Sequence, residues 1–359
     1  MDQARHRRVA IWLFTLCALV FCMVVLGGFT RLTGSGLSMT DWRPVTGVLP
    51  PLSAEGWAEE FAKYQASPQF EKVNSHMDVE AFKGIFWLEY LHRLLGRVLG
   101  IAFFVPFVAF LLRGDIRVRE TPKYLLMFAL GGLQGLLGWY MVKSGLVDIP
   151  AVSQYRLTAH LAMAFLVFGF MLWVALSLWF HRDRLVRHPW FARTVALVCL
   201  IVTTIASGGF VAGLRAGRIY NTFPLMGDSL IPDGLFALDP WWRNFFENAS
   251  TAQFDHRVLA LTTVGVIAVY WWRSRRAGLP PRARLAATAL LHTAVLQVVI
   301  GISTLLLAVP VLLGALHQAV AMLLLTAALF LTHSLTRAPA TAVAEPETVS
   351  ISGARSPAT

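Results

Sequence analysis

Eight apolar runs, each close to the length that crosses a bilayer, decide most of what this chain can become. They lie at roughly 9 to 29, 86 to 112, 124 to 142, 157 to 180, 194 to 214, 252 to 272, 285 to 308 and 311 to 332. A helix needs about 20 apolar residues to cross the hydrocarbon core. Backbone in lipid must also satisfy its own hydrogen bonds, which leaves the helix as the form open to such runs. The expected fold class is therefore an all-α integral membrane protein with eight transmembrane helices. Hydrophobic residues make up 56% of the 359 and charged residues 14%, which excludes a disordered or collagen-like chain.

The formal net charge of +11 would suit a nucleic-acid partner, but its placement argues against one. Eighteen of the Lys and Arg residues fall in the N-terminal tail, the links Arg113 to Lys123, Arg182 to Arg193 and Arg273 to Arg284, and the C-terminal tail. The opposite loops carry ten, and Arg93, Arg97 and Arg257 lie within or at the edge of runs. By the positive-inside rule both termini are expected in the cytoplasm, so the excess charge sets topology and no nucleic acid is expected. The reading is a multi-pass membrane protein. Arg5, Arg7 and Arg8 precede the first run, but that run exceeds the 7–15 residues of a signal-peptide core and no Ala-x-Ala site follows, so it is expected to stay as a helix. Cys17, Cys22 and Cys199 all fall within runs, which leaves the outer loops without a disulfide.

The second half of the chain repeats the first. Ala206-Ser-Gly-Gly-Phe210 echoes Leu26-Gly-Gly-Phe29, with Arg43-Pro44 and Phe223-Pro224 following at similar distances. Asp255-His256-Arg257 answers Leu91-His92-Arg93, Gln297 answers Gln134, and His317 answers His160; 42 residues separate His92 from Gln134 and 41 separate His256 from Gln297. Four helices per unit put the two copies in the same orientation, as parallel repeats about an axis along the membrane normal. The expected organisation is two pseudo-symmetric four-helix bundles: residues 1–185 with a long outer loop at 30–85, residues 186–336, and a disordered cytoplasmic tail at 337–359. Within the outer loop, Trp57, Phe61 and Tyr64 stand at helical spacing, either as a short amphipathic helix at the outer surface or as an ordinary solvated loop. In the third helix, Gly131 and Gly135 are expected to serve close helix packing, and Gln134 to bond across an interface.

Four of the ten histidines, His92, His160, His256 and His317, sit near the outer start of helices two, four, six and eight. All four helices run inward, so the side chains are expected at similar depth, paired within each bundle as His92 with His160 and His256 with His317. A lone intramembrane histidine is more often a hydrogen bonder or proton relay than a ligand; four at repeat-equivalent positions favour ligation. Two imidazoles across a four-helix bundle suit a six-coordinate haem. A zinc or copper site is the alternative, but no cysteine or second carboxylate joins the histidines. Arg93 and Arg257 directly follow ligand candidates, where a guanidinium suits a haem propionate or snorkels to headgroups. His6, His76, His181, His188, His292 and His333 are read as structural or solvated. The sites differ in one respect: three residues before His92 stands Glu89, and three before His256 stands Gln253. Ionisable groups at that depth mark functional sites, so the first bundle is expected to host chemistry through Glu89 and the second to relay electrons.

Taken together, Glu89-x-x-His92-Arg, His160, Asp255-His256-Arg, Leu316-His317-Gln, Gly-Gly-Phe-Thr-Arg-Leu-Thr-Gly-Ser-Gly-Leu-Ser and Tyr220-Asn-Thr-Phe-Pro-Leu-Met226 resemble the haem A synthase family over about residues 9 to 334. The outer loop lacks the cysteine pair of some members, as in the branch of alphaproteobacteria and mitochondria. The resemblance implies an oxidoreductase that converts the C8 methyl of haem O to a formyl group by successive hydroxylations and loss of water, with water the expected oxygen source. It also implies haem b held by His256 and His317, substrate haem O facing His92 and His160, and Glu89 as the catalytic carboxylate. Partners implied are haem O from its synthase, an unassigned membrane electron donor, cytochrome oxidase assembly factors and the lipid bilayer, with homo-oligomerisation open. Two other classes compete: a dihaem membrane electron carrier without substrate oxidation, and a transporter with parallel repeats.

Overall fold

The computed structural model describes residues 2–41, 48–147, 150–180 and 187–336. Trp42-Arg43-Pro44, His181 and the tail at 337–359 lie outside the described residues. The chain forms α1 (Asp2–Leu32), α2 (Ala54–Gln65), α3 (Pro68–Lys72), α4 (Val79–Leu112), α5 (Thr121–Lys143), α6 (Gln154–Trp179), α7 (Phe191–Gly213), α8 (Asn244–Glu247), α9 (Ala249–Ser274), α10 (Pro281–Leu306) and α11 (Val311–Thr336). Among the described residues there is no β-strand, and Met226 with Ser229 forms an isolated bridge.

Seven of these helices, α1, α4, α5, α6, α7, α10 and α11, are long and apolar enough to cross a membrane. This is a multi-pass membrane protein. The sequence suggested eight such helices; the difference is α9, which has the 26 residues of α10 and α11. Gln253, Asp255, His256 and Arg257 near its start, and Arg273 near its end, make it too polar for that class.

Helices α4 and α6 flank α1, and α5 lies against both of them. In the second half α9 lies against α7 and α10, and α11 against α10 and α7. The halves meet where α1 touches α11, and where α6 touches α7 and α11. Adjacent glycines make this meeting possible. A Cβ at Gly28 would come within 2.8 Å of the Gln318 side chain on α11, and one at Gly209 within 2.9 Å of Thr158 on α6. The Gln318 amide crosses the same seam to donate to the carbonyl of Val24 at 3.0 Å.

Pro106 sits inside α4. Its missing N–H would strand the carbonyl of Ala102, four residues back, where lipid offers no substitute donor. The indole Nε1 of Trp12 on α1 donates to that carbonyl at 2.8 Å, so the proline becomes a joint between the two helices.

α4 also begins earlier than the apolar run, because Asp78 caps it by accepting from the Ala81 amide at 2.8 Å. Its 34 residues span about 51 Å, against a hydrocarbon core of about 30 Å. The surplus turns carry Phe82, Phe86 and Tyr90, which with Tyr64 form a separate aromatic core packed by Trp57, Phe61 and Phe70. Ser53 and Ser67 cap α2 and α3. The outer-loop helix therefore forms at the spacing expected, but its aromatic face is spent on α4 and not on a lipid surface.

Candidate functional site

Each of the four histidines leans on a glycine of the span before it. A Cβ built on Gly27 of α1 would lie 2.9 Å from Cε1 of His92 on α4, and one on Gly138 of α5 would lie 3.0 Å from Cε1 of His160 on α6. In the second half the distances are 3.0 Å from Gly208 of α7 to His256 on α9, and 2.9 Å from Gly301 of α10 to His317 on α11. Real side chains essentially never approach as closely as at Gly27 and Gly301, and at Gly138 and Gly208 the ring would have to shift, so glycine lets each helix pass its ring. Gly131, Gly132 and Gly135 are different: a Cβ there would meet nothing within 4 Å. The packing role expected for Gly131 and Gly135 falls instead to Gly138, the glycine of this helix that has a side chain of α6 against it.

Polar side chains frame the rings. Gln134 Nε2 lies 3.4 Å from Nε2 of His160 and donates to its carbonyl at 3.1 Å, while Gln297 Nε2 lies 3.3 Å from Nε2 of His317. Ser207 Oγ is 2.8 Å from Nδ1 of His256. Nδ1 of His92, His160 and His317 is buried without a hydrogen-bond partner. The His256 and His317 rings lie 6.4 Å apart between centroids and cross at 81°. His92 and His160 lie within electrostatic range of each other.

A metal–imidazole bond of about 2 Å on each side puts two ring centroids roughly 6 Å apart across one ion. The His256–His317 spacing therefore fits a six-coordinate iron between two imidazoles, with Ser207 at Nδ1 of His256 and Gln297 near Nε2 of His317. Among the described residues no three His, Cys, Asp or Glu side chains gather at one place, so a zinc or copper site would lack its third protein ligand.

Glu89 is 3% exposed. Its Oε1 accepts from Arg93 at 2.6 and 3.1 Å, and its Oε2 accepts from the Ser38 hydroxyl at 2.7 Å and the Met39 amide at 2.9 Å. Arg93 also donates to the carbonyls of Met39 and Asp41 at 2.8 and 2.9 Å. The repeat copy keeps the arginine and loses the charge pair. Arg257 donates to the carbonyls of Tyr220, Thr222 and Leu225, and Gln253 to that of Tyr220 at 3.1 Å. Both guanidinium groups thus bind the loop that leaves the preceding span, in place of snorkelling to headgroups. Among the described residues Glu89 does not bond His92; its partners are Ser38, Met39 and Arg93. A cleft of about 190 Å³ reaches Arg93 and Arg97 from beneath Leu49 and Pro50, too small for a macrocycle.

The COX15-CtaA family, described as a cytochrome oxidase assembly protein, matches residues 10–329. The chain belongs to that family. It is similar to a "Heme A synthase" of Nitrosospira multiformis, 53% identical over 338 residues that cover 93% of this chain and 95% of the relative. It is also similar to "Heme A synthase COX15" of Arabidopsis thaliana, 49% identical over 92% of this chain and 75% of the relative, and of Bos taurus, 45% identical over 94% and 84%. In this COX15-CtaA chain, sequence reasoning reached the four histidines, Glu89 and both arginines but missed Gly27, Gly138, Gly208 and Gly301 as ring seats, and Ser207. A signal was present: Gln134 precedes Gly138 by the same interval as Gln297 precedes Gly301, one helical turn, so each pair addresses one histidine.

Proposed function

We propose that this chain is a haem A synthase: it oxidises the C8 methyl of substrate haem O to a formyl group by successive hydroxylations, for cytochrome oxidase assembly. The observation that carries this reading is the four histidine seats combined with one asymmetry, a buried carboxylate at Glu89 where the repeat has the neutral Gln253. In this reading α9 crosses the membrane with the seven apolar helices. The eight form two pseudo-symmetric four-helix bundles within residues 1–185 and 186–336. The Lys and Arg distribution supports an inner-membrane protein with both termini in the cytoplasm.

His256 and His317 are the residues that would hold a resident haem b, whose chemistry when bound is one-electron transfer. His92 and His160 face the substrate haem O. Arg93 orients the Glu89 side chain in a site of low dielectric, where a negative charge stabilises positive charge developing on the substrate. Arg257 performs the mechanical half of that task, tying down the loop around Tyr220 without a carboxylate to orient.

The test is to extract pigments from membranes that co-express the chain with a haem O producer. Formyl haem is expected with the native chain and is expected to be lost in Glu89→Gln with haem b retained. No formyl haem beside an intact two-haem spectrum would replace this reading with an electron carrier.

A further inference from the structure

Aligning Gly27 with Gly208 and His92 with His256 compares two histidines in seats of the same shape, 2.9 and 3.0 Å from the glycine Cβ position. The surroundings of Nδ1 are not the same. Ser207, one residue before its glycine, corresponds to Leu26; Thr204 corresponds to Met23, and Thr263 to Leu99. In the C-terminal copy all three positions carry a hydroxyl with a polar neighbour. The Thr204 and Thr263 hydroxyls are 2.8 Å apart, Ser207 Oγ donates to the Thr204 carbonyl at 2.7 Å, and the same Oγ lies 2.8 Å from His256 Nδ1. In the N-terminal copy the three corresponding positions are apolar, and Nδ1 of His92 is buried with no partner.

A serine hydroxyl has a single proton. Ser207 gives it to the Thr204 carbonyl, so towards His256 it can only accept, and Nδ1 must carry the imidazole hydrogen. That assigns the lone pair of His256 to Nε2. An acceptor on the far nitrogen fixes the tautomer and ring orientation of a ligating histidine and raises its basicity. We propose that Ser207 is a positioning residue that makes His256 a permanent iron ligand, whereas Leu26 leaves His92 untethered so that haem at the N-terminal site can exchange. One hydroxyl, present in one copy and absent in the other, then separates a cofactor site from a substrate site. This rests on the haem-binding reading above.

The experiment uses the full-length chain purified with its haem as native protein, Ser207→Ala, Ser207→Thr, Leu26→Ser and His256→Ala. The readouts are haem b per chain, its midpoint potential, its low-spin electron paramagnetic resonance signal and the rate at which added haem O exchanges. Loss of the acceptor weakens the ligand for ferric iron, so Ser207→Ala is expected to move the midpoint to more positive values by about tenfold in the equilibrium, or about 59 mV for one electron. Its haem b is expected to bind roughly 10-fold more weakly. Ser207→Thr keeps the hydroxyl and is expected to restore both. Leu26→Ser is expected to slow haem O exchange. A native midpoint and signal in Ser207→Ala would overturn the proposal. Should that variant hold no haem at all, Leu26→Ser decides, and unchanged exchange overturns it. The underlying reading fails separately, if the native chain shows no low-spin haem that His256→Ala removes.

Discussion

Glu89 and Arg93 form an ion pair across a single helical turn, with 2.6 Å between Arg93 Nη2 and Glu89 Oε1. Breaking one side of a buried pair leaves the other charge uncompensated, at a cost of about 3–5 kcal/mol. Arg93→Met is therefore expected to lower thermal stability strongly, and Arg93→Met with Glu89→Gln to recover part of the loss. Thermal unfolding in detergent measures both, and equal midpoints for the single and double variants would contradict the pairing argument.

The glycine seats make a contrast within one family of substitutions. Gly301→Ala forces a methyl to 2.9 Å from the His317 ring, and the ring is hemmed between α10 and α11. The haem content of the proposed His256–His317 site is expected to fall severalfold. Gly131→Ala meets nothing within 4 Å and gains up to about 1 kcal/mol of helix propensity, so haem content is expected to stay at the native level. Pigment assays on purified protein compare them directly.

Arg257 ties three carbonyls of the Tyr220 to Leu225 segment with one fork of donors. A lysine has the charge but not the planar geometry. Arg257→Lys is expected to release this segment, seen as faster protease cleavage there and faster amide hydrogen exchange, with the helices themselves unaffected.

The aromatic cap over α4 has its own pH dependence. Burial pushes the Tyr64 hydroxyl up from its ordinary value, so the folded state holds the proton more tightly than the unfolded chain does. Its contribution is full below the unfolded value of about 10 and is lost as pH rises through the higher folded value. Hydrogen exchange in α2 and α3 is expected to quicken at strongly alkaline pH in the native chain. Tyr64→Phe also removes the bond accepted from Asn74 at 2.7 Å, and it is expected to abolish that alkaline step.

The sequence made some of this plain because it is one-dimensional information. Spans are runs, and the His92 to Gln134 and His256 to Gln297 intervals expose the repeat directly. Glu89 stood out because a carboxylate in an apolar run has to be explained. What stayed hidden depended on what passes a helix at each level: Gly138 meets the His160 ring, while Gly131, two turns earlier on the same face, meets nothing within 4 Å. The partners of Arg93 and Arg257 were hidden for another reason, since they are backbone carbonyls of loops, which carry no residue-type signal. The outer cap was half legible, with Trp57, Phe61 and Tyr64 in helical register but the surface that receives them supplied by an extension of α4 beyond its apolar run.

The paired glycines divide their labour. Gly27 and Gly208 each admit a histidine of their own half, and the very next residues, Gly28 and Gly209, each admit a side chain of the opposite half. The contact that α1 makes with α11 is the one that α7 makes with α6, which is the self-complementary pattern of a twofold dimer written into a single polypeptide. Neither half is thus a detachable module. Separating them would bare Gly28 or Gly209 beside a histidine seat, and a one-residue insertion between the paired glycines would put that seat and the subunit-like seam out of register together.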